Sequence, residues 1–175
     1  MKFFRIFVPL LIIPSLVYGG KLIFSPEKGF VANLPTWTSP EKKFSILMVL
    51  PGYSVKAKNE INNWKFKAEK NGFLLICMDV DYDQIQLNSD MEDLCSRMIG
   101  VCNDFIAQGQ PIDLQRIYIA GTSMGATTAI NLALRYPKQF RAVADVSGGR
   151  LMRGSEFFIQ NAAGQNFYLA HGKKR

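Results

Sequence analysis

The chain has 175 residues, 48% of them hydrophobic and 20% charged, with a formal net charge of +7. That length fits one domain, and the apolar content excludes a disordered chain. The basic residues are dispersed (Lys42-Lys43, Lys56, Lys58, Lys65, Lys67, Lys70, Lys173-Lys174-Arg175), which argues for solvated helix faces and against a nucleic-acid partner.

The first residues read as a leader. Met1 to Arg5 is short and basic, Ile6 to Val17 is apolar, and Tyr18-Gly19-Gly20 supplies small residues for cleavage. This is the three-part pattern of a secretory signal. The apolar stretch falls short of the roughly 20 residues of a comfortable membrane span. The expectation is a signal peptide over 1–20 and a secreted or periplasmic protein, with an uncleaved membrane anchor as the alternative. Membrane contact is expected through this segment alone.

Within 21–175, Lys21 to Lys43 is rich in turn formers, with short edge strands near Leu22–Phe24 and Phe30–Ala32. Phe44–Leu50 is a near-continuous apolar run closed by Pro51-Gly52, the pattern of a strand buried on both faces. Val55 to Asn71 reads as a helix with Ile61, Trp64 and Ala68 on its stripe and Phe66 off it. Phe73–Val80 is the next strand, and Asp81 to Asn88 a polar loop. Ser89 to Ala107 reads as a helix, with Ser89 and Glu92 as a capping box and Met91, Leu94, Met98, Val101 and Phe105 on the buried side. A strand over Arg116–Ala120, a helix over Met124–Tyr136, and strands over Ala142–Val146 and Phe167–Ala170 complete the chain. Strands alternating with helices imply right-handed βαβ units and a three-layer, doubly wound, mostly parallel α/β sheet. Chemistry in such sheets collects at the carboxyl ends of the strands, where Gly52-Tyr53, Ser123 and His171 all fall.

Cys77, Cys95 and Cys102 have neither CxxC nor zinc spacing and read as buried thiols. With one histidine and scattered carboxylates, no metal site is expected, and no cofactor.

Gly121-Thr122-Ser123-Met124-Gly125 matches G-x-S-x-G, the nucleophile elbow, with the required strand before it and helix after it. Ser123 must sit at the tip of a strained strand-to-helix turn. Positions 121 and 125 must be small so that the neighbouring backbone can pass. The helix N-terminus then faces the developing oxyanion, with the Met124 N–H as one donor. A second donor usually comes from the loop after an earlier strand, and Tyr53 N–H occupies that place. A plain Pro-Gly turn accounts for Leu50-Pro51-Gly52-Tyr53 equally well.

The run Ile112-Asp113-Leu114-Gln115-Arg116-Ile117-Tyr118-Ile119-Ala120-Gly121-Thr122-Ser123-Met124-Gly125-Ala126 resembles the D-x-x-R-[IV]-Y-[IV]-x-G-x-S-x-G segment of secreted α/β-hydrolase esterases. These include polyhydroxybutyrate depolymerase and feruloyl esterase-like enzymes and the prolyl-oligopeptidase-related esterases. Ile46–Tyr53 resembles their L-H-G-x oxyanion segment, with Pro51 where His is usual. Phe167–Gly172 resembles their H-G-x-x-D strand end. The resemblance implies the α/β-hydrolase fold, a small-molecule or polymer ester as substrate, and Ser123 as nucleophile. The triad acid would then stand at position 175, which is Arg175, and the catalytic histidine would follow later.

Three arrangements answer that departure. The chain is a C-terminally truncated esterase domain, with 21–175 a partial α/β-hydrolase; or it has lost catalysis and binds without turnover; or an alternative triad operates from Ser123, Asp145 or Asp81, and His171. A serine without a base is a poor nucleophile, so weak or absent turnover is expected of these residues alone.

Overall fold

The computed structural model describes residues 20–36, 43–85 and 88–172, so residues 1–19 of the expected leader and the basic residues 173–175 lie outside it. The elements run β1 (Lys21–Ser25), β2 (Phe30–Leu34), β3 (Phe44–Leu50), α1 (Ala57–Lys70), β4 (Phe73–Met78), α2 (Asn88–Ala107), β5 (Ile112–Thr122), α3 (Met124–Arg135), β6 (Ala142–Val146) and β7 (Asn166–Ala170). A 3-10 helix over Ser155–Ala162 precedes β7, and a shorter one over Pro26–Lys28 joins β1 to β2.

The seven strands form one sheet in the order β1-β2-β4-β3-β5-β6-β7. From β4 to β7 every pairing is parallel, while β1 and β2 join antiparallel at the edge. The central strands β3 and β4 are the continuous apolar runs, because helices cover both their faces, whereas the edge strand β7 leaves Tyr168 and Leu169 exposed. One core, with Met48, Leu74, Ile76 and Ile119 at its centre, packs against Met91, Leu94 and Met98 of α2 and Ala129, Leu132 and Ala133 of α3. The other, around Val49, Leu75, Cys77 and Ala120, packs against Ala57, Ile61 and Ala68 of α1. This is the doubly wound, three-layer arrangement expected.

Several boundaries differ from the expectation. The first helix begins at Ala57, because Asp79 Oδ1 accepts from the Ala57 N–H at 2.8 Å and fixes the start from the neighbouring strand's end. The second helix begins at Asn88, so Ser89 lies inside the first turn and is not the cap; its hydroxyl donates to Asp90 Oδ1 at 3.4 Å. The third parallel strand starts four residues early, at Ile112, where a register irregularity against β3 between Phe44 and Ile46 takes up the extra length. The 3-10 helix over Ser155–Ala162 was not foreseen. Its Phe157 and Ile159 are exposed, so it has no clean apolar period to read. Phe66, off its stripe in the sequence, is 73% exposed.

Candidate active site

Ser123 joins the end of β5 to the start of α3 with φ 54° and ψ −118°. A non-glycine residue at positive φ is sterically costly, of order 1–3 kcal/mol, and persists only where its surroundings impose it. The surroundings are identifiable. The Ser123 N–H still donates to Val146 O of β6 at 2.9 Å, while its carbonyl already accepts from the Thr127 N–H at 3.1 Å. The residue thus ends a strand and opens a helix at once, and its side chain is left exposed.

The flanking glycines make the bend possible. A Cβ on Gly121 would stand 2.2 Å from Gly125 C and O, and one on Gly125 would stand 2.1 Å from Leu50 O and 2.4 Å from Pro51 O. These are backbone atoms, so no rotamer change could relieve the overlap. The second contact also draws the loop after β3 against the elbow. Gly52 carries this approach, with the position of a Cβ there lying 3.6 Å from Ser123 Cβ. The Gly52-Tyr53 segment and Met124, both expected from sequence, therefore meet around Ser123. Met124 is the first residue of α3, among the N–H groups that lack an intrahelical acceptor. The loop is tied down by Tyr82, whose hydroxyl donates to Pro51 O, by Tyr53 OH with Asp83 Oδ1 at 3.1 Å, and by the Val55 N–H on Gly52 O at 3.0 Å. Burial, and then the charge of Glu60, push the Tyr82 phenol well up, so it remains a donor.

The alternative acid and base also come together. Asp145 is fully buried in β6, accepts from the Gly148 N–H on Oδ1 at 2.7 Å, and has Oδ2 3.9 Å from Nε2 of His171 at the end of β7. Gly149 passes close over the pair, a Cβ there falling 3.0 Å from Asp145 Oδ2 and 3.3 Å from His171 Cε1. Among the described residues no hydrogen bond joins Ser123 Oγ to His171. Asp81 is engaged in its own loop, accepting from the Asp83 N–H at 3.2 Å.

Three features escaped the sequence reading. Glu60 of α1 is buried beneath the elbow, with Oε1 accepting from Thr122 Oγ1 at 2.9 Å and Trp64 Nε1 at 2.8 Å, and Oε2 from Asn63 Nδ2 at 3.1 Å. Its signal was a carboxylate on the apolar stripe of Ala57, Ile61 and Trp64. Asn131 of α3, fully buried, holds the chain after β6: its Nδ2 donates to Arg150 O at 3.0 Å and its Oδ1 accepts from the Met152 N–H at 2.9 Å. That segment walls a cleft of about 480 Å³ lined by Ser123, Met124, Thr127, Ser147, Arg150 and Arg153 among others. A second cavity, of about 510 Å³ between β1 and α1, holds Leu22, Phe66 and Lys70 and lies away from the serine. Among the described residues no group of three or more His, Cys, Asp or Glu could hold a metal ion.

Sheet order, elbow and crossovers define an α/β-hydrolase fold. The esterase family model matches residues 103–165, a span that holds the elbow and the chain that walls the cleft. Among solved structures, the chain is similar to the fluorophosphonate-binding serine hydrolase F of Staphylococcus aureus, at TM-score 0.64 and 17% identity, over 89% of this chain and 79% of that one. It is similar to the S-formylglutathione hydrolase of the same organism, at TM-score 0.61 and 18% identity, over 90% and 77%. A ferulic acid esterase from Anaeromyces mucronatus superposes at TM-score 0.53 and 9% identity, over 82% and 77%. No curated protein matches the chain in sequence.

Proposed function

We propose that this chain is a serine hydrolase domain acting on carboxylic esters, with Ser123 as the nucleophile. One observation carries the reading: an exposed serine held at φ 54° in a bend that backbone contacts at Gly121 and Gly125 leave no room to relax. Strain of this kind aims Oγ away from the sheet, where a carbonyl carbon can approach it. As Oγ adds, the carbonyl oxygen becomes an oxyanion, and the Met124 and Tyr53 N–H groups stabilise it at the positive end of α3. The match to the esterase family model supports the ester as substrate class.

Deprotonating Ser123 requires a base. His171 is the one histidine of the sequence; its Nε2 lies 3.9 Å from Asp145 Oδ2, beyond hydrogen-bond reach, and among the described residues no hydrogen bond joins it to Ser123. These residues alone are therefore expected to give weak turnover, at most about the 10³–10⁴-fold over water that binding and an oxyanion hole supply without a triad. The same observation favours a second reading, an α/β-hydrolase-fold protein that binds an ester or acid without turning it over. A fluorophosphonate probe separates the two. Slow labelling confined to Ser123 and abolished by Ser123→Ala supports the hydrolase; labelling that persists in Ser123→Ala overturns it, and no labelling with ligand affinity retained supports the binder.

Export is proposed from the leader pattern of residues 1–20. N-terminal sequencing of the protein recovered from an exporting host should begin near Lys21, and a start at Met1 would refute cleavage.

A further inference from the structure

The cleft beside Ser123 has a charge that ester hydrolysis does not itself require. Arg150 and Arg153 line it, both are exposed, and no ion pair or side-chain hydrogen bond engages either among the described residues. No carboxylate lines the cleft. The first turn of α3 ends there too, and Met124 and Thr127 bring the positive end of the helix dipole to the same wall. Two unpaired guanidiniums and a helix N-terminus around one space form a field for an anion.

The segment that carries the arginines is fixed. Asn131, buried within α3, reaches it with both ends of its amide: Nδ2 donates to Arg150 O as well as to Thr127 O of its own helix, and Oδ1 accepts from the Met152 N–H. Arg135 Nη2 donates to Ser155 Oγ at 3.3 Å, and its guanidinium stacks 4.9 Å over the Phe158 ring, anchoring the 3-10 helix that follows. A buried asparagine between Ile130 and Leu132 in a helix is a costly choice unless it builds something. Here it holds the two arginines at the rim of the serine cleft.

We infer that this cleft selects ligands bearing a negative charge, a carboxylate or a phosphate, next to the group presented to Ser123. As a statement of substrate class it rests on the reading of Ser123 as a nucleophile, but the anion site is testable without turnover. The probes are 4-phenylbutyrate, its uncharged isostere 4-phenylbutyramide, and benzylphosphonate, none of them an ester, each titrated into the full chain by NMR at two salt concentrations.

The carboxylate is expected to bind about tenfold more tightly than the amide, the sum of two exposed ion pairs. The advantage shrinks as salt screens it and disappears in Arg150→Gln/Arg153→Gln. Arg150→Lys/Arg153→Lys retains part of it, which shows that the lost effect was charge and not folding. Tighter binding of benzylphosphonate than of 4-phenylbutyrate assigns the site to phosphate, and the reverse to carboxylate. Equal binding of acid and amide, a preference that survives the double glutamine variant, or no binding of any probe overturns the inference. Loss of fluorophosphonate labelling with the charge preference intact removes the ester chemistry and leaves the anion site standing.

Discussion

Gly125→Ala tests the elbow at its tightest point. The added Cβ would stand 2.1 Å from Leu50 O and 2.4 Å from Pro51 O, where real Cβ atoms essentially never come within 3.0 Å. Both oxygens belong to backbone at the end of β3, whose Leu50 is fully buried. Relief therefore requires α3 to withdraw from the sheet, which also opens the bend at Ser123. Overpacking of this kind costs ~1–3 kcal/mol, and a backbone clash falls at the upper end. For a domain of this size that lowers Tm by ~6–12 °C. Gly100→Ala is the matched control. It lies within α2 with nothing inside 4 Å of the new methyl, so helix propensity should raise stability by ~0.5–1 kcal/mol. Thermal unfolding followed by circular dichroism, with urea midpoints at unchanged m, reads both. Gly125→Ala melting within ~2 °C of the parent would refute the contact between elbow and β3.

The remaining expectations follow the same contacts. Glu60→Ala strips the acceptor from Thr122 Oγ1 and Trp64 Nε1 and should cost about 3 kcal/mol, while Glu60→Gln, which keeps an acceptor, should cost about 1; equal urea midpoints for the two variants would show that the hydrogen bonds contribute nothing. Burial pushes the thiols of Cys95 and Cys102 up, to about 11 and about 12, and Cys77 higher still. The native chain should thus resist a thiol reagent at pH 8 that titrates all three after unfolding. Above pH 9 the unfolded state sheds thiol protons that the folded state keeps, so the thiol contribution is full below that pH and stability falls as pH rises from 9 toward 11; a rise over that range in urea midpoints would contradict the burial. Phe66→Ser, at a site 73% exposed, should change stability by no more than ~0.5 kcal/mol, and a larger loss in the same melts would place Phe66 against a partner surface.

Much of the fold was legible because its signals are local. Phe44–Leu50 and Phe73–Met78 are apolar at nearly every position, a pattern that follows from burial on both faces and needs no knowledge of the neighbours. The G-x-S-x-G pattern was legible because it falls within five residues, while the backbone that Gly125 must clear, Leu50 O and Pro51 O, was not. The start expected for α2, Ser89, falls one residue inside the helix, since several polar side chains in Asn88-Ser89-Asp90 could serve as a helix start. The Ser155–Ala162 helix left no readable period, because its phenylalanines and isoleucine do not all face the core.

The sequence by itself determined that parallel strands alternate with helices and that a serine stands on a bend only glycines can flank. The alternation shows in patterns close along the chain and the glycines in a five-residue motif, but the backbone that Gly125 must clear, at Leu50 and Pro51, belongs to the end of another strand. The tertiary structure alone decided what lies around that bend: Glu60 beneath Thr122, 62 positions away, Asp145 facing His171, and Asn131 holding Arg150 at the cleft. Such pairings cannot be read from periodicity. It tells which face of an element is buried and nothing of which distant side chain meets it there.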